Sequence, residues 1–228
     1  MKQPLLLKVY RTLRKGWQKL TPEAQQAVRS FTASQKTDRA YLNAGGKEDD
    51  YYTQFGRVLE AVMSPSLVKL IRGMHLGVKE HASKSDVYGV FFQFLTDEWR
   101  PWRKLNGKAE EQKTMMTNAT CCTLAMQHQM GQTCDAGLVE WLLQRQHETG
   151  GFSASELAPI PDMLSTAVAL FTLQLIGRKP HRAAVDFIEA HWLEKGGFAP
   201  TLFDEYSDVE YVFYGLLAMG SAELKVES

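Results

Sequence analysis

Four aspartates, Asp50, Asp86, Asp162 and Asp208, each open an apolar stretch of the chain. An aspartate there supplies an acceptor to the free N–H groups of a first helical turn. If the four stretches share one end of the fold, the same carboxylates gather at one mouth. Gathered carboxylates raise one another's pKa for acid–base work, or hold a divalent ion for a diphosphate. Cys121, Cys122 and Cys134 with His128 invite a zinc reading. Adjacent cysteines on one helix point about 100° apart, and there is no Cys-x-x-Cys spacing, so buried thiols are expected instead. His181 and His191 flank a polar helix and are expected to be exposed. No Gly-rich phosphate loop, Gly-x-Ser-x-Gly elbow or His-Glu-x-x-His pattern occurs.

The elements that would position these acids repeat. Gly150-Gly151-Phe152 returns 46 residues later as Gly196-Gly197-Phe198, Asp162 returns as Asp208, and Trp141 returns as Phe187. A period of this size is the mark of a repeat architecture. Each unit reads as a polar helix, a Gly-containing loop and an apolar helix opened by an acid. Thr21-Pro22-Glu23 starts one polar helix, and the helix that Asp50 caps carries Tyr51, Tyr52, Phe55, Leu59 and Val62. Helices 134–147 and 162–176 form a second pair, and 180–195 and 208–219 a third. Further helices are expected at 64–81, after Ser85-Asp86, and before Gly131, with Met116 where an acid would stand. Leu164–Ile176 is apolar nearly all round, so it must be covered all round, with wetter helices outside. No strand pattern stands out. The expected fold is all-α, with about five hairpins. The aromatic residues Tyr51, Tyr52, Phe55, Tyr88, Phe91, Phe92, Phe171, Tyr211, Phe213 and Tyr214 are core by spacing, or line a cavity where an inner helix faces an axis.

Residues 4–19 form a basic amphipathic helix, with Leu6, Val9, Leu13 and Trp17 between lysines and arginines. It either docks on the body by its apolar stripe or lies on an anionic membrane surface or a partner. The boundaries expected are this helix at 1–20, the repeat domain at 21–222 and a tail at 223–228. Lys+Arg and Asp+Glu balance at 26 each, which argues against tracking nucleic acid. Three cysteines do not make a disulfide framework and fit a reducing compartment. No apolar run nears the roughly 20 residues of a membrane span, and Leu5-Leu6-Leu7 is short for a signal segment. A soluble cytoplasmic protein is the expectation.

The stretch Ala136-Gly137-Leu138-Val139-Glu140-Trp141-Leu142-Leu143-Gln144-Arg145-Gln146, followed by Gly150-Gly151-Phe152, resembles the repeat of protein prenyltransferase β subunits and of squalene and oxidosqualene cyclases. Asp50-Tyr51-Tyr52-Thr53, Asp162-Met163-Leu164-Ser165-Thr166-Ala167 and Ser207-Asp208-Val209-Glu210-Tyr211 resemble its inner-helix openings. The resemblance covers about residues 21–220. It implies an α/α toroid whose inner helices surround an aromatic-lined cavity holding an isoprenoid. It places Tyr51, Tyr52, Phe55, Tyr88, Phe92, Thr166, Tyr211 and Tyr214 in that cavity, with Asp50, Asp86, Asp162 and Asp208 as candidate catalytic acids at its mouth. The departures are specific. The zinc site of the prenyltransferases uses Asp-x-Cys and a later His, but here Glu210 follows Asp208 at that spacing and Leu164 follows Asp162. The cyclases use Asp-x-Asp-Asp-Thr-Ala, of which only Asp162 and Thr166-Ala167 remain. Zinc is therefore not expected, magnesium stays compatible, and the cofactor is not identified. The family's toroids use about six hairpins, so a shorter ring leaves an open edge for a protein partner or a second copy. The alternative function is a noncatalytic helical-repeat module that binds a lipid or a protein.

Overall fold

The computed structural model describes residues 3–65, 91, 94, 95 and 116–222. The helices expected at 64–81 and after Ser85, with Asp86, Tyr88 and Phe92, lie outside the described residues. Within them the chain is mostly helical. In order run α1 (Leu5–Lys19), α2 (Pro22–Ser34), β1 (Tyr41–Leu42), β2 (Glu48–Asp49), α3 (Asp50–Met63) and α4 (Thr117–Gln129). There follow α5 (Ala136–Leu143), β3 (Phe152–Ser153), β4 (Pro161–Asp162), α6 (Met163–Leu175), α7 (Val185–Ala190), β5 (Trp192–Leu193), β6 (Gly197–Phe198) and α8 (Val209–Ser221).

Three helix pairs, α2–α3, α5–α6 and α7–α8, are built alike. In each, an antiparallel bridge brings the loop back after the first helix: Lys36 to Tyr41, Gln146 to Phe152, and Trp192 to Phe198. The short strands, two residues each, leave the all-α expectation standing. Two residues are too few to leave an alternating pattern in sequence. The Gly-Gly-Phe corner depends on backbone geometry. Gly150 and Gly196 have φ of +91° and +98°, which an L side chain rarely adopts. The expected outer helices 134–147 and 180–195 shorten to α5 and α7, because the chain leaves the helix to make this corner.

A hydroxyl latch closes each corner. The Tyr41 N–H donates to Thr53 Oγ1 at 2.8 Å, and Thr53 donates to the Asp49 carbonyl at 2.7 Å. Phe152, Thr166 and Asp162 repeat this at 2.8 and 2.7 Å. In the third pair Ser207 takes the role, accepting from Phe198 N–H at 3.1 Å. Each latch satisfies a backbone N–H beside a buried aromatic ring, a group that is expensive to leave unpaired.

Successive units are tied together. The first N–H of α4 donates to the Ala154 carbonyl at 2.8 Å, and the first N–H of α6 donates to the Pro200 carbonyl at 2.9 Å. Gly150 lies against the backbone of Ala183 and Ala184 at the start of α7. Gly196 lies against Ala27 and Val28 of α2, so the third corner sits on the first unit's outer helix. The inner helices pack side by side in the order α4, α6, α8, α3.

Helix α1 packs on α8 and α3 by its apolar stripe, with Leu5, Leu13 and Trp17 buried. The stripe a membrane surface would need is therefore the one in contact with the body. Its cations reach helix C-termini. Lys19 Nζ donates to the Met219 and Ala222 carbonyls at 2.6 and 2.9 Å, and Arg14 donates to the Val62 carbonyl at 2.6 Å. A cation there complements the negative end of the helix dipole. Among the described residues no helix is long and apolar enough to cross a membrane.

Candidate functional site at the N-terminal ends of the inner helices

The acids come first because they start the helices. Asp162 Oδ1 accepts from Ser165 N–H at 2.8 Å, and Asp208 Oδ1 accepts from Tyr211 N–H at 3.0 Å. At the first pair the capping residue is Asp49, not Asp50. Asp49 has extended backbone and accepts from the N–H groups of Tyr51 at 2.8 Å and Tyr52 at 3.3 Å. Asp50 is the exposed first residue of α3 and points the expected acid one position too far along the chain. Met116 stands at the equivalent place before α4 and makes no side-chain cap.

Asp162 and Asp208 share a neighbourhood: both lie within electrostatic reach of Tyr211. Asp49 and Asp208 both act on Tyr52, whose phenol burial pushes up to about 12. Burial also raises the pKa of Asp162 and of Asp208, against the N–H groups that favour the charged form. Asp208 is 2% exposed.

The residue that the sequence pattern did not single out is Glu210, on the first turn of α8. It is buried, and its Oε1 accepts from the Tyr51 hydroxyl at 2.6 Å. Tyr51 in turn is hydrogen-bonded to Tyr214. Burial raises the Glu210 pKa, the neighbouring Asp208 adds to the rise, and the Tyr51 hydrogen bond opposes it. The only earlier trace of Glu210 was its place two residues after Asp208. An acid within an otherwise apolar inner helix was the signal available.

Behind Glu210 an aromatic series joins α3 to α8. Tyr51 to Phe55 is 4.9 Å between ring centroids, Phe55 to Phe213 is 5.1 Å, and Phe55 to Tyr214 is 5.8 Å. The first two are edge-on, the arrangement that ring quadrupoles prefer. Tyr51, Tyr52, Phe55, Tyr211 and Tyr214 are all half-buried, consistent with core and with a lining face alike. Thr166 is different. It is wholly buried, and both its hydrogen bonds belong to the latch.

His191 corrects an expectation. It is 0% exposed, and its Nδ1 donates to the Phe187 carbonyl at 2.7 Å. Its Nε2 has no hydrogen-bond partner. Burial lowers its pKa, while Asp162 and Asp204 pull the other way. The corner returns to this residue, with the Ala199 N–H donating to the His191 carbonyl at 2.8 Å, and the ring lies 4.1 Å from that of Phe187 between centroids. His181 is exposed.

Cys121 is buried, with its thiol pushed up to about 12 by burial, and Cys122 and Cys134 are half-buried; none of the three is in a disulfide. Among the described residues no group of three or more His, Cys, Asp or Glu is placed to hold a metal ion.

No protein-family model, no curated protein and no solved structure matches this chain. The described residues define a class by themselves: a mostly helical protein with three helix pairs built alike, α3, α6 and α8 each capped by an aspartate.

Proposed function

We propose that this protein binds an isoprenoid or other long apolar molecule at the centre of an α/α toroid and carries out acid chemistry on it at the mouth. The observation that carries the reading is Glu210, buried beside Asp208 and hydrogen-bonded to Tyr51 at the head of the aromatic series. A carboxyl held toward its neutral form is a proton donor, and aromatic faces stabilise cationic charge next to them. The ring is supported by two placements. Helix α8 packs against both α6 and α3, and the corner at Gly196 sits on α2 of the first pair. The resemblance to prenyltransferase β subunits and terpene cyclases agrees with this arrangement. Free thiols fit a cytoplasmic setting. Asp162 and Asp208 are the accessory acids.

The test is incubation with geranylgeraniol and with squalene, followed by native mass spectrometry for bound ligand and gas chromatography for cyclised or isomerised product. Bound ligand with product that disappears in Glu210→Gln is the expected result. Binding without product in either protein leaves the noncatalytic lipid module as the function. Absence of binding to both removes the ligand reading.

A further inference from the structure

The same end of the molecule exposes apolar side chains where the repeat would let it hide them. Leu157 is 89% exposed and Phe203 is 81% exposed. They stand 46 residues apart, at the same position of two successive units. Leu202 and Tyr206 share the second loop with Phe203, and each is half exposed or more. The two loops are neighbours, because the first N–H of α6 donates to the Pro200 carbonyl at the base of the second loop at 2.9 Å. Large apolar groups exposed on adjoining loops mark a contact surface rather than unfinished packing.

Charge selects what the contact is made with. Of the carboxylates on the segments 43–50, 153–162 and 199–210, Asp208 and Glu210 are buried, Asp49 and Asp162 cap helices, and Glu156 pairs with Arg145 at 3.4 Å; the base on these segments is Lys47. The chain as a whole balances at 26 and 26. Glu48, Asp50, Glu156 and Glu205 are exposed on these segments. An anionic lipid surface or a nucleic acid is repelled by such a rim. A second copy meeting it face to face opposes like charges. A cationic polypeptide with interleaved apolar side chains satisfies both features.

We propose that the loops bearing Leu157 and Phe203 are a docking face for a basic amphipathic segment of a partner protein. Phe203 and Leu157 supply the apolar anchors, and the surrounding carboxylates supply orientation and rate of encounter. This goes beyond the ligand reading and does not need it.

The test is titration of the full-length protein with a short synthetic amphipathic helix of leucine and lysine. Its leucine–glutamate counterpart and vesicles of phosphatidylcholine or phosphatidylserine are run in parallel. The expected result is saturable binding of the lysine helix that weakens as salt is raised. The double variant Leu157→Ser/Phe203→Ser should weaken it about tenfold or more. Both side chains are exposed, so the variant's fold is checked simply by its circular dichroism. Equal binding of the glutamate helix would overturn the proposal. So would unchanged binding by the double variant, no binding of the lysine helix, or vesicle binding that alone depends on the two residues.

Discussion

A carboxyl placed as Glu210 is placed changes the protein's response to pH. Its folded-state pKa is raised above the ordinary value of 4.5, chiefly by burial, and those of Asp162 and Asp208 are raised above 3.8. The folded state therefore binds these protons more tightly than the unfolded chain does. Below the ordinary carboxylate values both states are protonated and nothing is gained or lost. As pH rises through the window between ordinary and raised values, the unfolded chain ionises first and stability falls. Ionised carboxylates here burden the fold at neutral pH. Glu210→Gln keeps an acceptor for the Tyr51 hydroxyl and removes the charge. It should match the wild type in Tm near pH 3 to 4 and exceed it at pH 7, by about 2–4 °C for each kcal/mol recovered. Thermal melts across that range decide the matter. A variant less stable at pH 7 would mean that the ionised carboxylate is welcome and the acid role mistaken.

At the scale of elements, the latch is what makes a helix pair a repeat. Thr166 is buried, and replacing it by Val leaves the Phe152 N–H without a partner beside a packed ring. Thr166→Val should lower stability by about 1–3 kcal/mol, whereas Thr166→Ser should lose much less. Chemical denaturation reads the difference, and a larger loss in Thr166→Ser than in Thr166→Val would mean that the methyl group's packing is the important part. The sequence carried this element only in outline. Helices α2, α3, α6 and α8 were legible from capping residues and apolar faces, because caps are local and helical burial is periodic. Gly150 and Gly196 were legible by their spacing. The bridge at Phe152 and the latch were not, since a two-residue strand has no period and a threonine's partner lies across a corner. For the same reason Asp49 was passed over for its neighbour: two adjacent acids read alike until the backbone shows which is extended. His191 seemed to lie on a polar helix, but α7 ends at Ala190 and the turn that follows carries the ring inside. Glu210 looked like a departure from a motif, because burial of a charged side chain is decided by the neighbouring helix α3 and not by the local sequence.

The whole molecule is polarised despite its neutral formal charge. Carboxylates start α3, α6 and α8 at one end, and α1 lays its cations against helix C-termini at the other. The dipoles of α3 and α8 are thereby met at both ends, and α1 is part of the body and not an appendage. The fit depends on two glycines where α1 crosses α8. A side chain at Gly16 would collide with the Leu216 carbonyl, and one at Gly220 would collide with the Thr12 carbonyl. Backbone cannot yield as a side chain can, so Gly220→Val must push the helices apart and draw Leu13 and Trp17 from cover. A loss of about 1–3 kcal/mol is expected from such overpacking. It should be accompanied by faster hydrogen exchange along Leu5–Lys19 than in the wild type, with α6 less affected. If α1 were only resting on the surface, its amides would exchange freely in both proteins and Gly220→Val would shift neither their protection nor the melting temperature. If α1 is the packed cap, exchange and melting move together. Lys19→Met, which removes the cation from the Met219 and Ala222 carbonyls while leaving the glycines alone, should then give a smaller shift in the same direction.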